Sequence, residues 1–132
     1  MTAIPDRPIS DQDNSPSTIS DDASNQSNFA DQLKITTVIA PGDLQNERVL
    51  LEHIGDEDVL LAGWVLEDEN GHSFAFPALV LHPGAALEIH SQDGENTVTR
   101  LYWNESDSIW SRSEMATLLD PNNESQASYQ IP

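Results

Sequence analysis

Cysteine is absent from this 132-residue chain, so no disulfide framework, zinc-thiolate site or thiol nucleophile can be built from it. Redox chemistry therefore leaves its compartment open. Basic residues are scarce: five Lys and Arg stand against 23 Asp and Glu, a formal net charge of −18. Nucleic-acid affinity rests on Lys and Arg releasing counterions from phosphates, so DNA, RNA and anionic lipid are disfavoured partners. Such a surface favours solubility, cations and basic patches on other proteins. Long apolar runs are missing as well. The best of them, Val59 to Leu66, falls well short of the roughly 18 residues that a membrane span requires. The opening residues, Met1 to Pro8, lack a basic region followed by an apolar stretch. No export signal is expected here, and any anchor is expected upstream of this chain.

Catalytic spacings are missing too. The chain has no Gly-x-Ser-x-Gly elbow, no phosphate loop ending in Gly-Lys, no dinucleotide fingerprint and no His-Glu-x-x-His, which argues against the large enzyme classes. The expectation is a non-enzyme that needs no cofactor.

What is present divides into two parts. Residues 1–32 are Asp, Ser, Asn, Gln and Pro, with Ile4, Ile9, Ile19 and Phe29 scattered without a period. Such a segment cannot bury enough apolar surface to offset its ordering entropy, and it reads as a disordered acidic tail or linker. A recognition tail that folds on a partner is the alternative. From Leu33 the composition changes to short runs of Val, Leu, Ile and aromatics, each bounded by Gly, Pro, Asp or Asn. That spacing predicts a single all-β domain over residues 33–132, a sandwich of about eight short antiparallel strands. The predicted strands are Leu33–Ile39, Arg48–His53, Val59–Glu67, Ser73–Phe76, Ala85–His90, Thr97–Trp103, Ala116–Leu119 and Ala127–Ile131. Alternation places Val49, Leu51 and His53 on one face, and Leu87 with Ile89 on another. Asn70-Gly71 predicts an antiparallel hairpin between Trp64-Val65-Leu66 and Phe74-Ala75-Phe76. The one helical expectation is a single turn near Ser111 to Met115.

Several spaced motifs carry a family resemblance. The run Val59-Leu60-Leu61-Ala62-Gly63-Trp64-Val65-Leu66-Glu67-Asp68, followed by Gly71 and by Phe74-Ala75-Phe76-Pro77, resembles the signature of the lamin tail domain family. Leu81-His82-Pro83-Gly84 with Leu87-Glu88-Ile89 is similar to that family's Pro-Gly turn and next strand. Leu101-Tyr102-Trp103 with Ile109-Trp110 is similar to its paired-tryptophan segment, and Ala116 to Asp120 to its penultimate strand. Glu47 to His53 sits where the family has its first core strand pair. The resemblance implies an immunoglobulin-like β-sandwich without catalytic residues, a module found in nuclear lamins and in bacterial, often extracytoplasmic, proteins. Two departures limit it. Pro121-Asn122-Asn123 stands where a glycine-bearing turn is common, with Asn123 able to adopt the left-handed conformation. No coiled-coil heptads precede the domain, so lamin-type filament assembly has no basis here.

The candidate core comprises Val49, Leu51, Leu61, Trp64, Leu66, Phe74, Phe76, Leu87 and Ile89, with Trp64 filling the space between sheets. Trp103 and Trp110 remain open between packing at the sandwich edge and an exposed aromatic surface for a peptide or sugar. His72, His82 and His90 lie on or beside neighbouring strands, where three imidazoles could ligate zinc, but loop positions favour solvated histidines. His53 reads as a capping or turn residue. Asp56, Asp58 and Asp68 are hard oxygen donors in turns and form the candidate calcium ligands, although Asp68 is expected to bond the backbone of its own hairpin. The sequence thus reads as a binding or structural module for another protein or a cell-surface component. A calcium-dependent adhesion or carbohydrate-binding module is the second reading.

Overall fold

The computed structural model describes residues 32–132; the expected tail lies outside the described residues, Gln32 excepted. The domain is all-β. Its described strands are β1 (Leu33–Ile39), β2 (Arg48–His53), β3 (Val59–Leu60), β4 (Val65–Glu67), β5 (Ser73–Ala75), β6 (Val80–Leu81), β7 (Ala86–His90), β8 (Arg100–Tyr102), β9 (Met115–Leu119) and β10 (Ser125–Gln130). They form two four-stranded sheets, β1-β2-β7-β8 and β10-β9-β4-β5, and a two-stranded ribbon, β3-β6.

Each sheet has an apolar face dictated by alternation. In the first, Leu33, Ile35, Val49, Leu51, Leu87, Ile89 and Leu101 are buried; in the second, Leu66, Phe74, Ala116 and Leu118 are. The two faces enclose a common core in sandwich fashion, because neither sheet has another way to remove that surface from water. Trp64 and Trp110 are the largest side chains enclosed. The edge strands β1 and β10 approach each other, with the Thr37 and Tyr129 hydroxyls 3.3 Å apart.

The hairpin expected at Asn70-Gly71 is present, pairing Val65 with Ala75, Leu66 with Phe74 and Glu67 with Ser73. The predicted strand Val59–Glu67 is instead two strands. Leu61 to Trp64 forms a turn closed by the Trp64 N–H to the Leu61 carbonyl at 3.0 Å, with Gly63 at φ +88°. A side chain at Gly63 would need that strained φ and would crowd the Pro121 ring, 3.2 Å from an added Cβ. The chain thereby leaves the ribbon and enters the second sheet. Apolar residues on both sides of the turn conceal it from sequence periodicity.

Three further expectations are corrected. The sandwich is not wholly antiparallel, since β8 runs parallel to β7. The segment before β8 is no strand: the Thr97 N–H donates to the Arg100 carbonyl at 2.7 Å and Thr97 Oγ1 accepts the Arg100 N–H, closing a turn. The helical turn near Ser111 is an irregular turn with Ser113 at φ 67°, and Met115 already belongs to β9. In the β9–β10 turn Asn123 does take a left-handed φ of 67°.

Candidate interaction surface

The loops around the sandwich are held by carboxylates turned inward. Glu47 is fully buried. Its Oε1 accepts the Gly42 N–H at 2.9 Å, while Oε2 accepts the Ser91 hydroxyl at 2.5 Å and the Ile109 and Trp110 N–H groups at 2.6 and 3.3 Å. One side chain thus ties together the loop before β2, the end of β7 and the approach to β9. Glu114 accepts the Ser111 and Glu69 N–H groups and the Asn70 amide. Asp120 accepts the Asn122 and Glu124 N–H groups and the Gln126 amide. Asp68 accepts the Asn70 and His72 N–H groups of its own hairpin. A buried carboxylate without partners is costly, but backbone N–H donors in loops need acceptors equally, so each satisfies the other.

The histidines are spread over separate places. Asp68 Oδ2 lies 2.7 Å from His72 Nδ1, and this hydrogen bond, reinforced by the Asp68, Glu105 and Glu114 charges, raises the His72 pKa above its ordinary value despite opposing desolvation. His82 Nδ1 is 2.9 Å from Asp58, and His90 Nε2 is 2.8 Å from Glu88. His53 is buried; its Nδ1 accepts the Gly55 N–H and its Nε2 faces the Glu57 carbonyl, which fixes the proton on Nε2. It closes the turn after β2. Among the described residues, no group of three or more His, Asp or Glu side chains is placed to hold a metal ion. Asp58 and Asp68 are engaged with different partners, and Asp56 is exposed.

Of the paired tryptophans, Trp110 is 1% exposed and packs edge-on to Trp103 with ring centroids 6.0 Å apart. It belongs to the core and presents no surface. Trp103 is half-buried and lies 5.5 Å from the Phe74 ring, so it covers the edge at β5.

The exposed apolar surface is elsewhere, at residues the sequence reading did not single out. Leu60 and Val80 face each other across the ribbon and are 55% and 43% exposed; Val98 is 72% exposed. Val80 and Val98 flank a groove of about 470 Å³, lined also by Leu79, Leu81, Ala85 and Ala86. The available signal was faint: Val59 to Leu61 and Leu79 to Leu81 are runs without alternation, so one residue in each had to face outward.

The fold, the inward Trp64 and the hairpin coincide with a known family. The family model of the lamin tail domain matches residues 26–132. The chain belongs to the lamin tail domain family. None of the curated proteins compared with it matches. Lamin tail domains are immunoglobulin-like and generally non-enzymatic, consistent with a protein-interaction role. Among the described residues of this lamin tail domain, no helix is long and apolar enough to cross a membrane.

Proposed function

We propose that this lamin tail domain is a non-catalytic docking module that receives another protein on the aliphatic patch made by Leu60, Val80 and Val98. The observation that carries this reading is the exposure of Val80 and Val98 around one mainly apolar groove, with Leu60 exposed opposite Val80 in the ribbon. Isolated exposed aliphatics are ordinary, but a contiguous group beside a concavity is what interaction sites share. The chain's large negative charge supplies the complementary term: a partner with basic residues around its apolar contact is drawn in and oriented.

The test uses the full chain and a triple variant, Leu60→Ser, Val80→Ser, Val98→Ser. Both are immobilised against host extract, and the captured protein is then purified and titrated into each by calorimetry. The expected result is a partner whose affinity falls at least tenfold on the variant, since central apolar contacts dominate interface energetics. A purified partner that binds both chains equally would refute this placement.

A further inference from the structure

The patch has a backbone component that identifies the mode of binding, and the inference rests on the docking reading above. In the ribbon, Val59 pairs with Leu81 and the Leu61 N–H donates to the Leu79 carbonyl at 2.8 Å. Ladder bonds in an antiparallel pair alternate, so the N–H and C=O of Val80 point away from β3. No described strand pairs with β6 on that other side.

The first residues of β7 are open in the same way. The His53 N–H donates to the Ala85 carbonyl at 2.9 Å, which directs the polar groups of Leu87 and Ile89 toward β2 and those of Ala86 and Glu88 the other way. Glu88 meets its neighbour there, donating its N–H to the Thr99 carbonyl at 3.0 Å. The register with β8 begins only at that level, pairing Glu88 with Arg100. Just upstream, the Thr99 N–H is turned back onto Thr97 Oγ1. Among the described residues, then, no strand pairs with Ala86 on the side away from β2. Val80 and Ala86 front the same groove.

We infer that this groove takes an extended basic peptide segment of the partner protein, which adds a β-strand along the free edges at Val80 and Ala86. Strand addition satisfies open main-chain groups and reads alternate side chains through pockets. The pockets here are apolar, walled by Leu79, Val80, Ala85 and Val98, so every second residue of the segment is aliphatic. The intervening residues are Lys or Arg. The rim explains this: Glu52 is exposed opposite Ala86, Asp58 is exposed beside His82, and the nearby Arg100 is already met by Glu88 at 3.7 Å. A second copy of this chain fits poorly, because two bodies of net charge −18 repel.

The experiment selects a phage-displayed library of random twelve-residue peptides on the full chain and synthesises the most enriched peptide with and without backbone N-methyl groups. The expected outcome is alternation of aliphatic residues with Lys or Arg, and a loss of affinity of about tenfold for a methyl group that removes a ladder hydrogen bond. The Val80 and Ala86 amides should gain hydrogen-exchange protection of at least about tenfold on binding. Binding abolished by Val98→Lys but indifferent to N-methylation overturns strand addition and leaves the docking surface standing. Binding unaffected by Val98→Lys overturns both. Failure to enrich any peptide, or a concentration-dependent dimer in sedimentation that Val98→Lys dissolves, also overturns the inference.

Discussion

Two regions of this domain invert the usual placement of charge and hydrocarbon. Around the ends of β2, β7 and β9, the carboxylates of Glu47, Glu114 and Asp120 lie inside. At the β3-β6 ribbon and the turn before β8, Leu60, Val80 and Val98 lie outside. The first arrangement needs no cation, since each carboxylate is met by the N–H groups of irregular loops that no strand could satisfy. The second has no internal reason. Aliphatic side chains left in water add nothing to folding, and Val80 and Val98 group around a groove with open ladder edges, the arrangement on which the docking proposal rests. Acidic residues in a strongly acidic protein therefore divide into two populations, one that builds the fold and one that sets the field around it.

That contrast can be broken by substitution. Glu47→Ala should be the most damaging, because it strands the Ile109 and Trp110 N–H groups and the Ser91 hydroxyl in a buried place; a loss of about 4 kcal/mol in urea unfolding is expected. Asp120→Ala removes three hydrogen bonds from the exposed β9–β10 turn, where water can replace some of them, so about 2 kcal/mol is expected in the same assay. Equal losses at these two sites would show that burial of the donors around Glu47 is not what matters.

A smaller effect concerns His72. Its pKa is raised in the folded domain above the ordinary 6.5, chiefly by the Asp68 hydrogen bond. The stability this contributes is complete below the unfolded value and is lost as pH rises through the folded pKa. The wild type should therefore hold an advantage over His72→Gln near pH 5.5 that shrinks as pH climbs above 6.5 and through the raised folded-state value. The imidazole is 41% exposed, so the change should stay below about 1 kcal/mol, read as the difference in thermal unfolding across pH. Smallest of all, Val98→Ser should alter stability by no more than about 0.5 kcal/mol. A loss comparable to that of Asp120→Ala would mean that Val98 belongs to the core and that the contrast is mistaken.

Much of the architecture was legible in advance. The limits of β1 and β2 follow from alternation and from the flanking Pro41-Gly42 and Gly55-Asp56, and the β4–β5 hairpin follows from Asn70-Gly71, because a turn of that chemistry between apolar runs has few alternatives. The errors share one cause. The turn at Gly63 was hidden because Leu61 and Trp64 are both buried, and the parallel course of β8 depends on how Ser91 to Thr99 returns, which no periodicity encodes. Trp103 and Trp110 look alike in sequence, yet only Trp110 is enclosed.

The amino-acid sequence by itself determined the all-β character, most of the strands and the burial of Trp64, since a two-residue period and turn chemistry are properties of neighbouring residues. Tertiary structure alone decided which carboxylates went inside and which edges stayed open. Glu47 meets Ile109 across 62 positions of chain, and Val80 meets Ala86 only as the far wall of a groove. Such encounters are fixed by how strands pair and loops close, and no local pattern of residues carries them.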